Sequence, residues 1–352
     1  MLYNVYTKEK ILCITEDYYI SYNNGSLSLC DTETKMLIQK CTIDKGVKTK
    51  GIVARLLRHE PRCAAAIDDH SYVFSYDGKI LYYDVASNEI SVEHIYDKGM
   101  KNPLCFCSVD DGCGQRTIYY GEYIWNLDKG PVAIYMRKNS TWKKIFEFKN
   151  GTITHIHNVI YDRFRKVFYI LTGDSDKDSG IWIADIGFQN VTPLVIGKQK
   201  YRSCVAFPTE EGLIYATDTP LEKNYIFKLI MDGTKVRSVE TICSIPGPCI
   251  YGTKVDEKYV FATSVEPDAT LPRWRYRITN KLGKGVEGKE SHLIITTKTG
   301  EKVSDYCVKK DAWPIWLFQF GNFQFPANST HEIFAISQAL ACGHGVTLKI
   351  GG

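Results

Sequence analysis

Apolar residues in this chain fall in short runs, many alternating with polar ones, and Gly, Asn and Asp cluster between the runs. Asn23-Asn24-Gly25, Asp77-Gly78, Asp232-Gly233 and Thr299-Gly300 are typical of the breaks. The pattern predicts β-strands joined by tight turns, and it recurs about every 45–50 residues, the period of propeller blades. Units begin at Gly151-Thr152-Ile153-Thr154-His155-Ile156-His157, at Tyr201-Arg202-Ser203-Cys204-Val205-Ala206-Phe207 and at Gly247-Pro248-Cys249-Ile250-Tyr251-Gly252-Thr253.

Seven units can be laid out, over Ile11–Cys41, Cys63–His94, Leu104–Phe148, Ile153–Ile196, Arg202–Ile242, Pro248–Val308 and Ile315–Ile350. The predicted fold class is all-β: a seven-bladed β-propeller of four-stranded antiparallel blades, one domain over 1–352. Unit seven holds only three strands, beginning with Ile315–Phe320. The strand-like Leu2–Tyr6 is expected to supply the fourth, closing the ring and removing exposed sheet edges. Unit six is interrupted by an insertion over 266–291 that carries Arg273-Trp274-Arg275-Tyr276-Arg277 and the Gly-rich Gly283–Gly288. Its length suits a lid or clamp over an active face, or a plain surface excursion.

Antiparallel order says where function belongs. The start of each first strand and the end of each second strand share one face. On it fall Arg62, Glu122, Tyr123, His155, His157, Asp174, Asp176, Arg202, Asp218, Tyr251, Glu266 and the insertion, while the other face receives turns such as Asp110-Asp111-Gly112 and Glu210-Glu211-Gly212. Polar groups converging on a concave mouth form a ligand site. Each alone could equally bind turn backbone.

His155-x-His157 places two imidazoles on one face of a strand by alternation. They could act as acid and base, hold a metal or bind an anion, and the spacing shows no third ligand. Thr172-Gly173-Asp174-Ser175-Asp176-Lys177-Asp178 has alternating acids like a calcium loop but lacks the central Gly and distant Glu, so it reads as a rim loop with Asp174 inward. The catalytic candidates are Glu122, His155, His157, Asp174, Asp218 and Glu266. Arg62, Tyr123, Arg202, Tyr251, Arg273, Trp274 and Arg275 are the substrate-binding candidates, the arginines suited to a carboxylate. His59, His70, His94, His292, His331 and His344 show no clear partners.

Composition narrows the classes. A net charge of +4 spread along the chain does not suit a nucleic-acid binder. No apolar run is long enough to span a membrane and no signal core opens the chain. Most of the 12 cysteines sit in apolar strands, among them Cys13, Cys30, Cys41, Cys204, Cys243 and Cys307, as expected of small buried side chains in a reducing cytoplasm. Cys105-x-Cys107 with Cys113 lacks zinc spacing. P-loop, dinucleotide and G-x-S-x-G motifs are absent.

Tyr120-Gly121-Glu122-Tyr123, His155-Ile156-His157, Thr172-Gly173-Asp174, Ala216-Thr217-Asp218-Thr219-Pro220 and Thr263-Ser264-Val265-Glu266-Pro267, taken in order, resemble the bacterial sialidase-like (BNR/Asp-box) propellers, over most of 60–310. Arg137-Lys138-Asn139-Ser140-Thr141-Trp142 and Asp185-x-Gly187 stand where Asp-boxes belong, in eroded form, and no Arg triad can be mapped. The resemblance implies a glycosidase-like enzyme. The leading expectation is a cytoplasmic, monomeric propeller that binds a glycan, with an acidic one suiting its arginines, and cleaves or modifies it at the channel mouth. One alternative is a noncatalytic glycan- or protein-binding propeller. Another is a metal-dependent polysaccharide lyase, since propellers similar to oligogalacturonate lyase hold a divalent metal with channel histidines.

Overall fold

The computed structural model describes residues 3–110, 112, 114–329 and 331–351. Leu2 of the closing strand, Asp111 of one turn and Cys113 of the cysteine group lie outside the described residues. Among the described residues, twenty-eight strands form seven separate four-stranded antiparallel sheets, arranged as the blades of a propeller.

Blades 1 to 6 each use four consecutive strands, running outward from the channel. They begin with Lys10–Ile14, Ala64–Ala66, Cys107–Asp110, His155–Asp162, Ser203–Thr209 and Cys249–Val255. Inner and middle strands are apolar on both faces because they pack between neighbouring blades; Ser71–Tyr76 and Gly212–Thr217 are buried throughout. Outer strands alternate, as Lys302–Lys309 does, because one face meets water.

Blade 7 is assembled from both ends of the chain, in the order Tyr3–Thr7, Val346–Ile350, Ile333–Gln338, Asn322–Gln324 from outside to inside. The expected closing strand is therefore present over its described residues. The expected first strand Ile315–Phe320 is not: that segment is irregular, and the strand is Asn322–Gln324. Ile315 is buried, while Arg55 donates to the Phe318 carbonyl through Nε and Nη2 (2.8 and 2.6 Å). Among the described residues, two short α-helices also lie outside the strand pattern, α1 (Gly51–Leu57) and α2 (Arg273–Ile278), the second within the insertion. α1 ends at Arg58, whose left-handed conformation (φ 54°) turns its N–H back onto the Ala54 and Arg55 carbonyls.

The Asp-box remnant acquires a structural role. Arg137 makes a two-pronged pair with Glu93 of the neighbouring blade (2.7 and 2.7 Å), and Trp142 Nε1 donates to the same carboxylate (2.7 Å). Both charged side chains are buried, at 5% and 8% exposure. Glu93→Ala leaves a buried guanidinium without its partner. It should cost about 3–5 kcal/mol, read by denaturant unfolding with an unchanged slope.

Candidate functional site

The inner strands of blades 4, 5 and 6 each carry a β-bulge near their start, between Ile156 and Asn158, Ser203 and Val205, and Cys249 and Tyr251. An extra residue re-aims the side chains around it. The simple alternation expected for His155 and His157 is therefore modified: His157 is the unpaired residue of the bulge. Even so, the two rings meet, with Nε2 atoms 3.0 Å apart.

Their other nitrogens settle the tautomers. His155 Nδ1 lies 3.2 Å from the Ile124 carbonyl, and His157 Nδ1 lies 2.9 Å from the Ser203 carbonyl. A carbonyl only accepts, so each Nδ1 carries the hydrogen. In the neutral rings both Nε2 lone pairs then face each other. The Asp174 carboxylate completes the group, 3.5 Å from His155 Nε2 and 3.4 Å from His157 Nε2. Such a convergence of acceptors calls for a proton or a cation at its centre. Gly173 makes it fit, because a Cβ there would stand 2.4 Å from His157 Cε1.

Arg202 joins this trio to blade 5. It meets Asp174 Oδ1 at 3.0 Å and Asp218 Oδ2 at 3.6 Å, and donates to the Asp174 carbonyl (3.0 Å). Burial works against ionising Asp174, but the Arg202 guanidinium overrides it and holds the carboxyl well below the usual range. Asp218 accepts the Cys204 thiol proton at Oδ2 (3.2 Å), while its buried Oδ1 has no hydrogen-bond partner among the described residues. Glu266 accepts from Ser264 Oγ (2.6 Å).

Burial first, then the charge of Asp218, pushes the Glu266 carboxyl up to about 8. Because its folded value lies above its unfolded one, the native state holds an extra proton between about pH 4.5 and 8. Stability from this group is complete below that window and falls as pH rises through it. Glu266→Gln should flatten the slope, measured as melting temperature against pH with the parent alongside.

The remaining candidates divide. Arg62 Nε donates to Tyr251 Oη (3.1 Å), and its guanidinium lies over the Tyr123 ring (5.3 Å), which packs 4.6 Å from His155. These three thus line the mouth beside the histidines. Glu122 is held elsewhere: Lys98 (2.8 Å) and the Ala133 N–H (2.8 Å) take up its carboxylate. The calcium-like loop is dispersed, with Asp176 bonded to Gln199 (2.9 Å) and Asp178 paired with Lys129 (2.5 Å). Arg273 and Arg275 lie over Trp125 and Trp274 (5.4 and 5.8 Å) at the exposed edge of the insertion. On the same helix Tyr276 turns inward: burial raises its phenol, and Glu266 and Asp174 add to the shift.

Three contributors escaped the sequence reading. Cys204 reads as a strand hydrophobe, Arg58 sits in an unassigned segment, and Tyr276 was one aromatic among charges. Arg58 and Arg277 lie over Trp316 (5.2 and 5.1 Å), bringing α1, the 313–319 segment and α2 together. Five of the six histidines without partners legible in the sequence have them in the fold: His59 with Asp44, His94 with the Tyr120 hydroxyl, His292 with Asp305, His331 with Asp256 and His344 with Glu60.

The sequence matches no protein-family model and no curated protein. Solved structures match over nearly the whole chain. An oligogalacturonate lyase in complex with manganese superposes with TM-score 0.61 at 12% identity, covering 98% of this chain and 89% of that one. The oligogalacturonate lyase of Vibrio parahaemolyticus gives 0.57 at 12%, covering 99% and 90%. The AfRom2 CNH domain gives 0.56 at 7%, covering 100% and 97%. At these identities the likeness establishes the fold.

Proposed function

We propose that this propeller is a divalent-cation-dependent lyase acting on an acidic glycan of the oligogalacturonate type. The observation that carries the reading is the pair of Nε2 atoms at 3.0 Å, both with Nδ1 spent on carbonyls, facing one carboxylate. Two imidazoles and a carboxylate form a donor set suited to manganese and its neighbours. The likeness to a manganese-bound oligogalacturonate lyase supports this over the sialidase-like expectation.

His155, His157 and Asp174 would hold the ion, which when bound would draw charge from a uronate carboxylate and acidify the adjacent C–H. Arg202, whose Nε has no hydrogen bond among the described residues and stands 3.6 Å from Asp218, grips the same carboxylate. Asp218 Oδ1 accepts the proton from the carbon next to the carboxylate. The electron pair left behind forms a C=C bond as the glycosidic C–O bond breaks. Glu266, neutral at pH 7, donates its proton to the departing oxygen. No water and no oxidant is consumed, and a proton passing from Asp218 to Glu266 resets the pair. Among the described residues the cysteines are free thiols, in keeping with a reducing cytoplasm.

The test is direct. Protein stripped with chelator and reloaded with Mn²⁺ is mixed with oligogalacturonate, and the ultraviolet absorbance of the unsaturated product is followed. Product appearing only with metal is expected. Binding of the oligosaccharide without product would instead favour a noncatalytic module, and absence of both would sink the acidic-glycan reading.

A further inference from the structure

The extra residue of blade 4, His157, and that of blade 5, Cys204, come side by side on adjacent inner strands. Their alignment is fixed by backbone acceptors: His157 Nδ1 is hydrogen-bonded to the Ser203 carbonyl (2.9 Å), and Asn158 Nδ2 donates to the Cys204 carbonyl (2.9 Å). At the end of each second strand stands an aspartate, Asp174 in blade 4 and Asp218 in blade 5. The repeat has thus built the same arrangement twice. A ring nitrogen of His157, Cys204 Sγ and an Asp218 oxygen lie within 4.8 Å of one another, all three residues buried. Asp218 is 5% exposed, and its Oδ1 has no hydrogen-bond partner among the described residues. A buried carboxylate oxygen without a donor needs one or needs a cation.

We infer that His157, Cys204 and Asp218 form a second cation site, selective for thiophilic metals such as Zn²⁺, whose filling excludes an ion from the His155–His157–Asp174 trio. The exclusion follows from His157: Nδ1 is committed to Ser203, so Nε2 is the one nitrogen left for either ion. One nitrogen lone pair binds one metal. The ligand types differ between the sites, because thiolate favours zinc and cobalt whereas manganese prefers oxygen and imidazole. A His, a Cys and a carboxylate are three protein ligands with a fourth position open, a set zinc accepts. Arg202 stands 3.6 Å from Asp218, but Asp174 shares that positive charge at 3.0 Å, so the two carboxylates outnumber it. When the metal binds, the Cys204 proton, now donated to Asp218 Oδ2, leaves to solvent and sulfur contributes the freed electron pair. The site itself stands on these contacts; only the loss of activity it would cause rests on the proposed lyase reading.

The probe is Co²⁺ added to chelator-stripped full-length protein, watched for sulfur-to-cobalt charge-transfer absorption in the near ultraviolet. The parent and H155A, which lacks the first trio, should both show the band at one equivalent, and Zn²⁺ should bleach it. C204S should lose the band, keep Mn²⁺ uptake, and bind Zn²⁺ at least about 100-fold more weakly, the upper end of what loss of a mere supporting residue costs. D218N keeps the shape of the site and should weaken Zn²⁺ binding without loss of fold, checked by melting temperature. A folded H155A protein with no band, or a band that survives in C204S, overturns the inference. Failure of the elimination assay with the band intact would count against the lyase alone.

Discussion

His157→Ala is expected to abolish Mn²⁺ binding and product formation together. The imidazole supplies one of three donors. Its removal also frees the Ser203 carbonyl and leaves His155 facing a cavity. Loss of even a supporting residue at a metal site costs about 10–100-fold in affinity or activity, so loss of a ligand should exceed that and bring turnover to background. Metal content after gel filtration and the ultraviolet assay read the two effects separately. His157→Gln retains an acceptor of similar reach and should recover part of the binding. A variant that keeps full turnover while losing metal would remove the cation from the reaction.

Arg202→Met should be the most damaging change to the site's stability. It removes the positive charge that serves Asp174 and Asp218 at once and leaves two carboxylates beside the buried Glu266. Breaking a buried pair costs about 3–5 kcal/mol; the loss here should fall below that range, since the Asp174 side chain is 51% exposed and water screens it. The sign of the pH dependence is fixed. Asp174 has its folded value depressed, so its contribution is present above the ordinary carboxylate range and is lost as pH falls through the folded value. The gap between parent and variant should therefore be widest near neutrality and close in strong acid. Urea titrations across that range measure it, and a gap that stays constant with pH would show that Arg202 acts by packing alone.

Much of the architecture was legible because strand period and turn residues repeat together, and each blade restates them. The first strand of blade 7 was not. The apolar run Ile315–Phe320 looks like a strand but is irregular, whereas the true strand, Asn322–Gln324, sets one buried Phe323 between two buried amides and shows no apolar run. The polar face was legible from topology, and it did gather His155, His157, Asp174, Arg202, Asp218 and Glu266. Which polar residues are already satisfied was not legible. Glu122 resembles its neighbours in sequence, and Lys98 and the Ala133 N–H, both distant along the chain, distinguish it. Cys204 was read by its apolar setting because a bulge, which decides where its sulfur goes, leaves no mark in composition.

The seam of the ring has a mechanical consequence. In blade 7, Tyr3 pairs with Ile350 and Val5 with Leu348, so the two ends of the chain enter the sheet at the same edge. Tension applied across Tyr3 and Ile350 does not slide one strand along the other. It loads the outermost hydrogen bonds first and parts the pair one rung at a time, as a zip opens. Beyond that pair, Thr347 accepts from the Ile11 N–H (3.1 Å) and donates to the Glu9 carbonyl (2.7 Å), a side-chain clasp where blade 7 meets blade 1. Pulled at Tyr3 and Ile350, the ring should yield at the seam under low force, while blades 3 and 4, on the far side of the circle and with the histidines in blade 4, stay folded.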